Sequence, residues 1–255
     1  MTRDIKKTPR ARKSRLPDFI LPQLATLVKE PPSGDEWLHE LKFDGYRMLC
    51  RIDGGQVTLW SRNGKEWTEK FQNVIEAIRS LRVTGAIIDG EIVVVDAHGR
   101  SSFQKLQRAM GKSVTTGFTF EVFDLIYLDG FNLTQTPLKY RKELLKDLVG
   151  SNQRGIIRYS EDFQGKRAAF FKHACEYGIE GIVSKLADSP YESTRNRNWL
   201  KVKCTRQQEF VIAGYTPLRK VYPDSARWFL PFTKRVSWFM PDEWAPAFPS
   251  SSAAT

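Results

Sequence analysis

The 255-residue chain contains few of the residues that build disulfide scaffolds or metal centres. Its three cysteines are Cys50, Cys175 and Cys204, an odd number in which no two have CxxC spacing. This pattern predicts neither a disulfide framework nor a zinc site, and it favours a reducing cytoplasmic compartment. The three histidines are scattered along the sequence, so we expect them to be structural or exposed rather than metal ligands.

Long apolar runs are also missing. No apolar stretch approaches the roughly 18 residues that identify a membrane span, and Pro17 and Pro22 interrupt the apolar stretch near the N-terminus. The sequence therefore predicts neither a signal peptide nor a membrane-spanning helix. We expect a monomer in the cytoplasm.

The common glycine-rich phosphate loops are absent as well. Gly111-Lys112-Ser113 has the ending of a P-loop, but Leu106 stands where that motif needs a glycine. No GxGxxG motif occurs either. These two ways of holding a nucleotide are therefore excluded.

Positive charge is in excess and unevenly distributed. The chain has 40 Lys and Arg against 29 Asp and Glu, a formal net charge of +11, and seven of the cations but a single acid lie in residues 1–15. Residues 1–21 are thus predicted to be a basic arm or linker. A basic body with a basic arm suggests a polyanionic partner, nucleic acid first and a membrane surface second, although composition alone fits a solvated linker equally well.

Short strands joined by hairpins alternate irregularly with helices. Asp53-Gly54-Gly55 between two β-rich runs is a typical hairpin turn, and apolar residues at helical spacing predict a helix over 68–81. We predict two strands within 86–96, separated by Asp89-Gly90-Glu91. This order favours a mixed α+β fold over a parallel βαβ fold. The other predicted strands are 37–42, 46–52, 56–62, 118–128, 156–159, 182–186, 199–203 and 209–215, and the other helices are 102–110, 136–149 and 166–177.

The segment from Glu40 to Gly45 has the clearest chemical content. Strand alternation places Glu40, Lys42 and Asp44 on one face and the two apolar residues between them on the other. A lysine between two carboxylates is usually part of a surface ion pair. A nucleophilic lysine would instead need a deprotonated amine, which nearby cations and desolvation favour by lowering its pKa. These residues alone leave both interpretations open.

Further motifs decide between these interpretations. Lys42-Phe43-Asp44-Gly45 resembles the KxDG motif of covalent nucleotidyltransferases, and five further segments follow in the order found in ATP-dependent DNA ligases. The resemblance covers residues 17–216 and is closest to the ligase module of bacterial multifunctional end-joining DNA ligases. The five segments are Ser61-Arg62-Asn63-Gly64, Asp89-Gly90-Glu91, Phe120-Glu121-Val122-Phe123-Asp124, Glu180-Gly181-Ile182-Val183-Ser184-Lys185 and Trp199-Leu200-Lys201-Val202-Lys203.

The resemblance implies a fold and a reaction. We expect residues 22–206 to form a nucleotidyltransferase (adenylation) domain of antiparallel β-sheets flanked by helices, with ATP in the cleft between the sheets. The implied reaction joins nicks or breaks in double-stranded DNA during repair. In it, Lys42 takes AMP from ATP as lysyl-AMP and passes the AMP to a DNA 5′-phosphate. A Ku-like end-binding protein is a further implied partner.

The resemblance also implies roles for individual residues. It makes Lys42 the nucleophile and makes Glu91 and Glu180 the ligands of Mg²⁺ or Mn²⁺, because carboxylate oxygens suit such cations. The residues implied to bind the nucleotide are Lys201 and Lys203 at the α-phosphate, Phe123 against adenine, Glu40 at the adenine edge, Arg47 at phosphate or ribose, Arg62 at the sugar or the nick, Lys185 at phosphate, and Glu91.

The C-terminal residues depart from the family pattern. Full ligases carry an OB-fold domain of roughly 100 residues after the lysine-rich strand, whereas 39 residues follow Thr216 here. We expect residues 207–255 to be a truncated or divergent segment with at most the first strand of an OB-fold, and self-adenylation to be slow. Three interpretations stay open: a DNA ligase, an RNA ligase or capping-type nucleotidyltransferase, and an impaired ATP- or DNA-binding remnant or trans-acting partner.

Overall fold

A computed structural model describes residues 5–111, 117–150 and 155–204, together with the backbone of 214–217 and 226–229. The chain divides into two units, residues 1–204 and residues 205–255. In the first unit, the helices are α1 (Gln72–Arg79), α2 (Phe103–Gly111), α3 (Leu138–Val149) and α4 (Arg167–Glu176). Its strands are β1 (Arg12–Lys13), β2 (Leu24–Leu27), β3 (Trp37–Leu41), β4 (Tyr46–Asp53), β5 (Gln56–Ser61), β6 (Gly85–Val93), β7 (Thr119–Leu128), β8 (Phe131–Asn132), β9 (Ile157–Tyr159), β10 (Asp162–Phe163), β11 (Gly181–Leu186) and β12 (Arg195–Lys203).

The strands form two sheets. Sheet A has the order β1-β8-β7-β6-β4-β5, with β9 also paired to β7. Sheet B has the order β10-β3-β11-β12-β2. Every pairing within these sheets is antiparallel except β7 with β9 and β12 with β2. The predicted α+β fold with antiparallel sheets and flanking helices is therefore confirmed.

Sheet A packs on both of its faces. Because side chains alternate along a strand, β4 directs Met48, Cys50 and Ile52 toward the helices and Leu49 toward sheet B. The helix-side core also contains apolar residues of α1, α2 and α3. A second cluster joins Leu49 and residues of β6 and β7 to Trp199 of β12. This second cluster holds the two sheets together and forms one wall of the cleft between them.

The strand β6 corrects the prediction of two strands in 86–96. It runs without a break from Gly85 to Val93, and its register against β7 shifts at Ile87/Ile88 and at Asp89/Gly90. Gly90 tolerates no side chain, since an added Cβ would lie 2.5 Å from Phe120 and 2.7 Å from the carbonyl oxygen of Glu121. The glycine therefore allows two strands to approach closely, and does not end one of them.

The N-terminal basic residues are not a solvated linker where the structure describes them. Strand β1 pairs with β8 at the edge of sheet A, and the Tyr127 hydroxyl donates to the carbonyl oxygen of Ser14 at 3.0 Å. Further along, Leu16 and Ile20 pack against the second apolar cluster. Residues 12–20 thus supply an edge strand and apolar contacts to the folded unit.

The cysteines also differ from expectation. Cys175 in α4 and Cys204 after β12 form a disulfide, and Cys50 remains a buried free thiol. The N–H of Cys204 donates to the carbonyl oxygen of Glu180 at 2.9 Å. Because Glu180 closely follows the helix that carries Cys175, this hydrogen bond holds the two cysteines near each other. Sequence spacing carries no sign of this contact. The pairing removes the support that unpaired cysteines lent to a reducing compartment.

The second unit is described only as a hairpin. Strand β13 (Gly214–Pro217) pairs antiparallel with β14 (Ala226–Phe229). Most of the predicted strand 209–215, and most of the segment 207–255, lie outside the described residues. Among the helices that the structure describes, none is long and apolar enough to cross a membrane.

Candidate active site

A cavity of about 650 Å³ lies between the two sheets. Its walls come from both sheets and from the turns that follow β3 and β5. Eight of the residues predicted for nucleotide binding or catalysis line it: Glu40, Lys42, Arg47, Arg62, Glu91, Phe123, Lys185 and Lys201.

Lys42 is placed by the end of β3. Its backbone N–H donates to the carbonyl oxygen of Gly181 at 2.9 Å, and its ammonium contacts the carboxylate of Glu180. Gly181 has φ +154°, and a Cβ there would lie 2.0 Å from the carbonyl oxygen of Val202. The glycine lets β11 and β12 approach closely, and the hydrogen bond from Lys42 to Gly181 places Glu180 beside Lys42.

The turn after Lys42 is tied to the start of α2. The backbone N–H of Asp44 donates to the Ser101 hydroxyl at 2.9 Å, and the Asp44 carboxylate accepts the N–H of Phe103 at 3.0 Å. A Cβ at Gly45 would lie 2.2 Å from the carbonyl oxygen of Ile92. The Asp-Gly pair therefore has a structural function here, which is to set the direction of the chain behind the lysine.

Two carboxylates stand near the Lys42 ammonium. Glu180 contacts it directly, and burial raises the pKa of Glu91 to about 7, against the opposing effect of Arg47 and Lys42. Glu180 also acts on Glu91 as a neighbouring negative charge. In the described part of the chain no group of three or more His, Cys, Asp or Glu side chains could hold a metal ion. The two predicted metal ligands, Glu91 and Glu180, both stand near the Lys42 ammonium.

Aromatic rings and cations form one wall of the cavity. Phe123 and Trp199 meet edge to face with their centroids 6.1 Å apart. The Lys185 ammonium lies 4.2 Å from the Phe123 centroid and 4.3 Å from that of Trp199. The Arg47 guanidinium lies 5.3 and 5.4 Å from the same rings. This wall offers both an apolar surface and positive charge, which suits a nucleotide, because a nucleotide combines an aromatic base with charged phosphates.

Arg47 is fixed in place by a buried acid. It donates to both carboxylate oxygens of Asp89, at 3.0 and 2.6 Å, and the Tyr191 hydroxyl donates to the same carboxylate at 2.7 Å. Burial alone would lower the pKa of Arg47, but Asp89 outweighs it and the pKa is raised. Trp199 and Asp89 belong to predicted motifs without a predicted role, and Tyr191 lies in none of them.

Glu40 lines the cavity and is 2 % exposed. It accepts hydrogen bonds from Lys142 at 2.8 Å, Lys185 at 2.9 Å and the Ser160 hydroxyl at 3.1 Å. Lys142 lies on α3, outside every predicted motif. No signal in the sequence marks it, because it is 102 residues from Glu40.

The structure places the two lysines predicted at the α-phosphate, Lys201 and Lys203, in different surroundings. Lys201 lines the cavity, and its pKa is lowered by burial and by the charges of Lys42, Arg195 and Lys203. Lys203 is not among the residues that line the cavity, and its ammonium lies 3.2 Å from Glu180. The two lysines share a strand face but meet different partners.

Comparison with protein families agrees with this geometry. Residues 22–203 match the family model described as the ATP dependent DNA ligase domain. The chain belongs to this family. The ligase domain is 39% identical over 204 residues to the multifunctional non-homologous end joining protein LigD of Pseudomonas aeruginosa, covering 80% of this chain and 24% of that protein. It is 36% identical over 201 residues to the SPbeta prophage-derived DNA ligase-like protein LigB of Bacillus subtilis, covering 78% and 72%.

Solved structures give the same result. The ligase domain of LigD from M. tuberculosis superposes with a TM-score of 0.64 at 32% identity, covering 72% of this chain and 60% of that one. A mycobacterial DNA ligase D complexed with ATP and MES gives the same TM-score and identity, covering 77% and 64%. The chain spans about a quarter of the length of the LigD proteins that it matches. The predicted family and fold are confirmed.

Proposed function

We propose that this ligase domain transfers AMP from ATP to Lys42 and then to the 5′-phosphate of a nick or break in double-stranded DNA. The observation that carries the proposal is the position of Lys42. Its ammonium meets Glu180 at one end of a cavity, and Phe123 and Lys201 line the same cavity. A base can occupy the aromatic side while its phosphates face the lysines.

The first step needs the lysine amine without its extra proton. Glu180 touches that ammonium and can accept the proton. The Lys42 nitrogen then forms a bond to the α-phosphorus of ATP while the bond to pyrophosphate breaks. Lys201 faces the charge that develops on the phosphate oxygens. Catalysis of this kind depends on position and on neutralising charge.

The later steps consume the lysyl-AMP. An oxygen of the DNA 5′-phosphate attacks the adenylyl phosphorus, and the nitrogen–phosphorus bond to Lys42 breaks. The 3′-hydroxyl of the adjoining strand then attacks the DNA 5′-phosphate and releases AMP. Arg62, Lys65 and Arg195 line the same cavity, and cations there suit a DNA backbone.

The carboxylates suit a divalent cation. Glu91 lies in β6 and Glu180 directly precedes β11, and both stand near Lys42. Hard oxygen ligands of this kind match Mg²⁺ or Mn²⁺. Such an ion would neutralise phosphate charge when bound. We further propose that the domain acts as a monomer in DNA repair and works with a Ku-like end-binding protein.

Self-labelling tests the proposal. Wild type incubated with α-labelled ATP and Mg²⁺ should carry label after denaturation, whereas Lys42→Ala should carry none. Lys139→Ala, which changes an exposed lysine paired with Asp188, is the matched control and should label like wild type. A folded wild type without label would overturn the adenylation step. A labelled protein that fails to seal nicked duplex, yet seals a pre-adenylylated nick, would place the defect in AMP transfer.

A further inference from the structure

Lys142 is a buried cation with no place in the steps above. It lies on α3 with its side chain 3 % exposed, and it is not among the described residues that line the nucleotide cavity. Its ammonium donates to Glu40 at 2.8 Å and to the carbonyl oxygen of Ser160 at 2.9 Å. The Asp162 carboxylate lies 3.3 Å away. A buried ammonium is costly unless its donors are satisfied, and here all of its donors find acceptors.

The partners of Lys142 keep it charged. Burial would lower its pKa, but the nearby carboxylates of Glu40 and Asp162 outweigh burial and raise it. Lys185, the second cation on Glu40, shows the opposite balance, because burial lowers its pKa despite the same carboxylate. Of the two ammonium groups at Glu40, that of Lys142 therefore holds its proton more strongly than that of Lys185.

The hydrogen bonds on Glu40 define what it can offer a ligand. One of its oxygens accepts from Lys142, and the other accepts from Lys185 and Ser160. A carboxylate that two ammonium groups and a hydroxyl hold by their donors presents acceptor oxygens to a ligand. Glu40 also lines the cavity in which we place the nucleotide.

We propose that Lys142 is a positioning residue that sets the preference of this domain for adenine over guanine by holding Glu40 as an acceptor. The inference rests on the proposed function, in which the base lies on the aromatic side of the cavity. Glu40 stands beside that side, because Lys185 contacts both the Phe123 ring and Glu40. The 6-amino group of adenine donates a hydrogen bond, whereas the 6-oxo group of guanine only accepts one. The acceptor oxygens of Glu40 therefore pair with adenine and repel guanine. Without Lys142, one oxygen of Glu40 loses its donor, and the carboxyl group is no longer held as an acceptor.

The test compares labelling by ATP and by GTP. A polar site that rejects a mismatched partner discriminates by about 10⁴–10⁵-fold. We expect wild type to prefer ATP strongly, and Lys142→Met to lower the ATP-to-GTP labelling ratio by about tenfold or more. Glu40→Gln, whose amide can donate, should lower the ratio in the same way. Adding Lys142→Met to Glu40→Gln should lower the ratio little further, because both changes act on the same carboxylate.

Controls separate this effect from a loss of structure. Lys146→Met removes the lysine one turn later on α3, which pairs with Glu161 outside the cavity, and should leave the ratio unchanged. If Lys142→Met does not fold, Lys142→Gln keeps a donor without the charge and replaces it in the comparison. Equal losses of ATP and GTP labelling, or an unchanged ratio, would overturn the inference. A wild type that labels with neither nucleotide would instead overturn the proposed function.

Discussion

The buried pair between Arg141 and Asp124 allows a stability prediction in depth. Both side chains are completely buried, and the guanidinium donates to the two carboxylate oxygens at 2.7 and 2.9 Å. It also donates to the carbonyl oxygen of Ser189 at 3.0 Å. Arg141→Met would leave the Asp124 carboxylate buried without its cation, which typically costs about 3–5 kcal/mol of unfolding free energy. At about 2–4 °C per kcal/mol for a domain of this size, the midpoint of thermal unfolding should fall by about 10 °C.

Thermal unfolding followed by circular dichroism would measure this loss. Lys139→Met, on the same helix but with an exposed partner, is the matched control and should not change the midpoint. The double variant Arg141→Met/Asp124→Leu should recover much of the loss, because apolar residues can replace a buried ion pair with little net cost. A fall of less than about 1 kcal/mol in Arg141→Met, or no recovery in the double variant, would refute the argument from burial.

Three further outcomes follow from charges and the cross-link. Burial raises the pKa of Glu121 to about 7, whereas a glutamate in the unfolded chain has a pKa of about 4.3. Between these pH values the folded protein therefore binds more protons than the unfolded chain. Its unfolding free energy should fall by up to about 3 kcal/mol from pH 5 to pH 8. Denaturant titrations should show a decline in wild type that Glu121→Gln reduces by this amount, while Glu91, whose pKa is also raised to about 7, keeps its own share of the decline. Replacing exposed Arg12 and Lys13 by Gln should reduce the slope of log affinity for duplex DNA against log salt by about 1.8, at about 0.9 per phosphate contact; an unchanged slope would exclude strand β1 from the DNA contact. Reducing the Cys175–Cys204 bond, which closes a 29-residue separation, should lower the unfolding free energy by about 3–4 kcal/mol and so lower the denaturant midpoint. Equal midpoints with and without reductant would contradict this.

Sequence motifs located most of the candidate site. Lys42, Glu91, Phe123 and Lys201 each lie in a short motif, and the fold brings them to one cavity. These residues are recognisable because each motif combines a chemical group with a strand or glycine turn that fixes its direction. Lys203 belongs to the same motif as Lys201, yet it meets Glu180 rather than the cavity. Alternation along a strand predicts a shared face, but it cannot predict what stands opposite each position.

The sequence by itself determined the α+β class, the antiparallel sheets and the family, because period-two alternation, hairpin turns and ordered motifs are local properties of the chain. Only the tertiary structure decided which charges share a buried space. Lys142 and Glu40 are 102 residues apart, and Cys175 and Cys204 meet because α4 and β12 end side by side. Contacts of this kind depend on how elements pack around a common core. Their energies arise from burial, which no single segment of sequence contains.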